Sequence, residues 1–174
     1  MEEIIWIVVN AGGNSRTKEV ADDFNARACL ELTDRRLSDE ADILAEGPYR
    51  QAERLKEGDR IVIHQGGGKA YRERYGSGQL VACGYVRGDV RPLTEEDRVQ
   101  YKGQYELTLR YFPKDKANND LVGIVFYSLK RAKTKLPIEE AGIRPGRGDK
   151  FIQVGPEFHG YHTINEWWNR NYTG

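Results

Sequence analysis

The sequence predicts an α+β fold, a small mixed β-barrel of five to six strands flanked by helices. Three observations predict it. Ile4 to Asn10 is apolar and β-branched almost throughout, the composition of a buried strand. Gly58 to Arg87 reads as two strands around a long glycine-rich loop. The chain closes on Thr163-Ile164-Asn165-Glu166, a capping-box pattern that opens a helix carrying Trp167 and Trp168.

In order, the first strand places Ile5, Ile7 and Val9 on one face and Trp6, Val8 and Asn10 on the other. It runs into Ala-Gly-Gly-Asn-Ser, where glycines let a ligand approach the backbone and Asn10, Asn14 and Ser15 offer donors and acceptors. Asn and Ser also favour turns for purely local reasons. Ser15 caps an expected helix through Arg27, with Val20, Phe24 and Ala28 at spacing four. Ser38 to Glu46 is a second, shorter helical candidate. Pro48 is placed for the first position of another helix, which Gly58 ends. Two strands follow, Ile61–His64 and Gln79–Val86, the second with Leu80, Ala82, Gly84 and Val86 on one face. Thr94 caps a short helical turn with Asp97 three residues on. Glu106–Phe112 and Val122–Leu129 read as strands, Leu136–Ile143 as a helical connector and Phe151–Val154 as the last strand. Trp167 and Trp168, adjacent on one short helix, are expected not to face inward together, which leaves one partly exposed.

The 174 residues fit one domain, 1–174, either whole or a fragment of a larger protein. Lys plus Arg number 27 and Asp plus Glu number 27, so a wholly basic nucleic-acid coat is excluded while a local basic patch is not. Cys29 and Cys83 form no CxxC pair and read as buried free thiols, in keeping with a reducing compartment. No leader pattern and no membrane-length apolar run is visible, so a soluble cytoplasmic protein is expected. GxSxG, HExxH, Walker and dinucleotide fingerprints are absent. His159 and His162 have a metal-like spacing without a second ligand pair, and Glu139-Glu140 reads as a solvated helix face. No catalytic residue, metal or cofactor is expected.

The hairpin loop, His-Gln-Gly-Gly-Gly-Lys-Ala-Tyr-Arg-Glu-Arg-Tyr-Gly-Ser-Gly, interleaves Lys69, Arg72 and Arg74 with Tyr71 and Tyr75. Cations beside flat rings suit a polyanion that also presents rings, a nucleic acid. The competing reading is a solvated loop whose charges only maintain solubility. Arg147 and Lys150 sit in a second basic, glycine-punctuated loop. Tyr49, at the mouth of its helix, is a core residue or a pocket wall.

The order of these segments, IIWIVVN, LKEGDRIVIH, LVACGYV, YELTLRYFP, SLKRAKTKL and GDKFIQVGPEFHGYHTINEWW, resembles the EVE/YTH branch of the PUA-like superfamily. Each motif alone is weak; their succession carries the likeness, which covers most of the chain. The resemblance implies a pocket for a single modified base, as in the N-terminal part of McrB-type restriction enzymes. Carried over, it assigns Trp6, Asn10, Asn14, Ser15 and Tyr49 to that pocket. The closing ring would come from the hairpin loop, glycine- and tyrosine-rich here rather than tryptophan-rich, with His64, Tyr71 and Tyr75 as candidates. Lys69, Arg72, Arg74, Arg147 and Lys150 are expected on phosphates. The function so implied is a DNA-binding module, without catalysis of its own, that reads a flipped methylated base, N6-methyladenine first, for a restriction complex with further domains or subunits. Two alternatives stand beside it: an RNA-binding PUA-like domain reading modified or structured RNA, and a small hydrolase acting on nucleotides.

Overall fold

The apolar run after Glu3 forms β1, Ile5–Asn10. In the computed structural model the described residues are 3–10, 27, 30, 33–34, 37, 43–66, 69–92, 94–100, 122–144 and 151–173. β1 lies parallel to β3 (Arg60–Gln65), with Trp6 opposite Ile61 and Asn10 opposite Gln65. Its other side pairs antiparallel with β7, Phe151–Val154. Because β1 and β3 run the same way, the chain between them must cross over, and that crossover contains β2 (Ile43–Pro48) and α1 (Tyr49–Ala52). β4 (Gln79–Val86) returns against β3, β6 (Val122–Pro137) against β4, and β2 against β6. The short β5, Arg91–Pro92, also pairs β6. The result is a mixed seven-stranded sheet in the order β2-β6-β4-β3-β1-β7. Among the described residues no pairing joins β2 to β7. Helices α2 (Arg72–Tyr75), α3 (Glu95–Gln100) and α4 (Tyr161–Thr173) complete the α+β architecture. No helix among the described residues is long and apolar enough to cross a membrane.

The sheet buries both faces. Ile5, Ile7 and Val9 of β1 join Val62, Leu80 and Leu136 under α4, which contributes Ile164, Trp167 and Trp168. Trp6 and Val8 point the other way, into Ile61, Ile63, Ala82, Val125 and Tyr127 with Leu55 and Ala52. The alternation expected for the first strand therefore holds. At roughly 25 cal/mol per Å² of apolar surface, two such clusters supply the main driving force for this arrangement.

Several expectations fail for physical reasons. Ile43 to Pro48 is strand rather than helix, because pairing with Val122–Phe126 of β6 outweighs the weak local helical pattern. Pro48 ends that strand instead of opening a helix; it sits at a register shift, a place that tolerates a missing N–H. α1 then spans only Tyr49–Ala52, and Gly58 (φ +90°) turns the chain into β3. The Leu136–Ile143 connector divides: β6 runs on to Pro137, and only Ile138–Ala141 forms a 3₁₀ turn. α4 begins at Tyr161, ahead of Thr163, because Gly160 brings the helix start against the Ala141 carbonyl; a Cβ there would lie 1.8 Å from that oxygen. Trp167 and Trp168 are both buried, at 1% and 3% exposure. Each indole finds its own acceptor on the sheet: Trp167 donates to the Thr134 carbonyl at 2.6 Å while Trp168 reaches the Ile61 and Gly84 carbonyls at 3.1 and 3.3 Å. The expected strand Glu106–Phe112 lies outside the described residues, as does the expected helix from Ser15 apart from Arg27, and Cys29. Cys83 is a buried free thiol, its pKa pushed up to about 12 by burial.

One irregularity shapes the far end of the sheet. His64 pairs with Leu80 and Ile63 with Ala82, so Val81 has no opposite number on β3. This bulge is why Leu80 shares a cluster with Cys83 and not with Ala82, contrary to the expected alternation. Across the other edge, Leu80 pairs with Leu136 but Ala82 with Arg131, which makes Ala132 to Lys135 a protrusion of β6.

Candidate functional site

The glycine-rich loop folds back on itself at the C-terminal ends of β1 and β3. Lys69–Tyr71 forms a 3₁₀ turn and Arg72–Tyr75 a single helical turn, closed by Gly76 in the left-handed region at φ +73°. Tyr75, Ser77 and Gly78 are buried, so the loop is a seated flap rather than a solvated tether. The Gly78 N–H donates to the Gln65 carbonyl at 2.8 Å, and the Ile138 N–H to the Gly78 carbonyl at 2.9 Å. Arg72 fastens the flap from the side. Its Nη1 and Nη2 donate to Glu139 at 2.6 and 2.9 Å, and Nε and Nη2 reach the Ser77 and Gly78 carbonyls at 3.3 Å each. The hydrogen bond to Glu139 raises the Arg72 pKa further, so this cation is permanent. Arg72 thus acts as an internal clamp where a phosphate contact was expected, because a carboxylate already fills its fork.

Under the flap lie buried polar atoms without a partner among the described residues. Gln65 is 1% exposed; its Nε2 donates to the Tyr75 carbonyl, but its Oε1 is unpaired. Ser77 is fully buried and its Oγ is likewise unpaired. Gln65 is registered with Asn10, so the two positions share one side of the sheet, the side of Trp6 and Val8. His64 alternates to the opposite side with Val62; both of its ring nitrogens are unpaired. Burial depresses its pKa to about 4, so the imidazole is neutral at physiological pH. Tyr71 and Tyr75 bring their rings to 6.1 Å with a 35° tilt, and the Arg74 guanidinium stands 5.1 Å from the Tyr75 ring.

The structure does not gather every expected pocket residue. Trp6 pairs with Ile61, four residues before the Asn10–Gln65 pair, which is about 13 Å along the strands. It is 4% exposed, donates Nε1 to Asp59 at 3.1 Å and carries the Arg54 guanidinium 4.9 Å from its ring. Both its edge and its face are occupied, which is the packing of a core side chain. Tyr49 is half-buried over Gly123, beside Ala52 at that same end. Asn10 and His64 stand at the flap end of β1 and β3, at positions on opposite sides of the sheet, and Tyr71 and Tyr75 belong to the flap itself; Trp6 lies at the other end of the strands. Asn14, Ser15, Arg147 and Lys150 lie outside the described residues. Gln65 and Ser77 were missed from sequence; the only signal was that the apolar run of β3 continues through His64 into one more polar residue. A cavity of about 410 Å³ opens elsewhere, lined by Glu3, Ile4, Gln153, Gly155, Pro156 and Glu157. Its two carboxylates disfavour a polyanion. Among the described residues no group of three or more His, Cys, Asp or Glu is placed to hold a metal ion.

No protein-family model matches the sequence, and no curated protein matches it. Among solved structures, the N-terminal domain of Staphylothermus marinus McrB aligns over 91% of this chain and 93% of its own, at 10% identity and a TM-score of 0.52. Human THYN1, solved in complex with DNA containing 5-methylcytosine, aligns over 94% and 97% at 12% identity and a TM-score of 0.46. A hypothetical protein from Leishmania major aligns over 95% of each chain at 12% identity and a TM-score of 0.45. The α+β fold is therefore shared with the McrB domain.

Proposed function

We propose that this chain is a non-catalytic recognition module for DNA carrying a methylated base, N6-methyladenine first, which it reads after extrusion from the duplex at the flap end of β1 and β3. The observation that carries the reading is Gln65. A buried amide with an unpaired oxygen costs about 1–3 kcal/mol unless something meets it. An exocyclic amine N–H meets it, and N6-methyladenine keeps one such hydrogen. The Ser77 hydroxyl beside the flap offers a second polar contact to a base edge. Tyr71 and Tyr75 supply rings to a base that has lost its stack, worth about 1–3 kcal/mol per base. Lys69 and Arg74, with Arg147 and Lys150, take the flanking phosphates. Trp6 and Tyr49 serve mainly to hold the far end of the sheet.

The methyl group itself adds only about 0.8 kcal/mol on burial, or about fourfold in affinity, so discrimination is modest unless the bare amine leaves a polar group unmet. A place in a restriction complex, with cleavage supplied by other domains or subunits, follows by analogy with the McrB fold. The test is binding to matched duplexes bearing N6-methyladenine, 5-methylcytosine or no methyl, with the corresponding RNA as competitor. The N6-methyladenine duplex should bind tightest, and Gln65→Met should lower that affinity about tenfold. Equal binding to every duplex across a salt range removes the reading, and preference for the RNA transfers it to RNA.

A further inference from the structure

Gln65 does not stand alone on its side of the sheet. Gln79, the first residue of β4, is directly opposite it in the β3–β4 ladder. Opposed residues share a face, with Cβ atoms about 4.5–5.5 Å apart, so strand register alone sets the two carboxamides side by side. Gln79 follows directly on the Gly76-Ser77-Gly78 return of the flap and is half-buried.

The two amides differ in freedom. The Gln65 Nε2 is committed to the Tyr75 carbonyl, so Oε1 is the atom that Gln65 has to offer, an acceptor. The Gln79 side chain has no hydrogen-bond partner among the described residues, so it can present its donor end or its acceptor end. Lys135 decides which end a ligand uses. Its Nζ lies 3.2 Å, and the Gln65 Nε2 3.6 Å, from the point where a side chain on Gly76 would begin. The ammonium has no acid paired to it among the described residues. Beside it a ligand lone pair is favoured and a ring N–H is not.

We infer that Gln79 is a specificity-determining residue: its amide N–H donates to the ring nitrogen that flanks the amine held by Gln65. This rests on the proposed reading of an extruded base at the flap and narrows its ligand class. Adenine and cytosine, methylated or bare, present an amine N–H beside a ring lone pair. Thymine and hypoxanthine carry a carbonyl in place of the amine, which sets oxygen against the Gln65 oxygen. A site whose polar groups must all be met rejects an analogue that leaves one of them unpaired.

The test is a double-mutant cycle between protein and base. Matched duplexes carry N6-methyladenine, its 1-deaza analogue or its 7-deaza analogue, each analogue replacing one ring nitrogen by C–H. One of the two analogues should bind the parent protein about fivefold more weakly than N6-methyladenine, the loss of one hydrogen bond. Gln79→Leu should weaken N6-methyladenine by about the same factor and that analogue no further. Gln79→Glu, which keeps the shape and removes the donor, should weaken N6-methyladenine at least as much; it carries the test if the Leu variant unfolds early. Equal losses for N6-methyladenine and both analogues in the two variants overturn the role of Gln79 while the preference for methylated DNA stands. A parent protein that binds methylated and unmethylated duplexes alike removes the base reading itself, and this inference with it.

Discussion

Arg72 grips Glu139 with both terminal guanidinium nitrogens, at 2.6 and 2.9 Å, and so ties the hairpin flap to the 3₁₀ turn after β6. The Glu139 side chain is 43% exposed, so the pair contributes at most about 1 kcal/mol to global stability. Its effect should be local. Glu139→Gln should accelerate amide exchange and proteolysis across residues 69–78 while the unfolding midpoint moves little. Unchanged exchange in the flap would show that the Gly78 backbone bonds suffice.

His64 makes stability depend on pH. Its folded pKa lies near 4, below the 6.5 of an exposed histidine, because burial disfavours the cation. The unfolded chain therefore binds the proton first. The contribution is complete above about pH 6.5 and is lost as pH falls toward 4. Urea midpoints should drop across that window, and His64→Leu should flatten the drop. A wild-type midpoint that is level from pH 7 to 4.5 contradicts this account.

Asp97 acts lower on the scale. The Arg91 guanidinium holds its pKa at about 2, with help from the Thr94 N–H and hydroxyl, against 3.8 for a free carboxyl. Stability from this cap is present above about pH 3.8 and lost as pH falls through 2. Asp97→Asn should remove that acid-range loss and fray α3, visible as reduced helical protection over residues 95–100.

Asn171→Ala should strip two backbone N–H groups of β6 of their acceptor. At about 1–3 kcal/mol for each group left unmet, a loss of about 2 kcal/mol or more is expected in denaturant unfolding. A variant as stable as the parent would mean that water replaces the amide at no cost.

Gly84→Ala should be among the most damaging single changes. A Cβ there would stand 1.9 Å from the Ser128 carbonyl, inside the β4–β6 pairing, and no side-chain movement relieves a clash with backbone. Soluble expression and thermal unfolding report it directly; a well-folded Ala variant would require the two strands to separate.

Where a short run carries its own information, the amino-acid sequence was enough. The β-branched composition of Ile5–Val9 specified a strand buried on two sides, and Thr94 with Asp97 specified a helix start whose bonds are all local, Thr94 N to Asp97 at 2.8 Å and Asp97 N to Thr94 at 3.2 Å. Tertiary structure decided the rest. Ile43–Pro48 became strand only because β6 offers it a partner. Trp167 and Trp168 are buried together because each indole N–H finds a carbonyl on a different strand, Thr134 for one and Ile61 and Gly84 for the other. The Val81 bulge, invisible as a pattern, re-aimed Leu80. Local propensity names an element, but the partners that satisfy its backbone and the face it buries come from segments distant in sequence, and these place Gln65 and Ser77 under the flap.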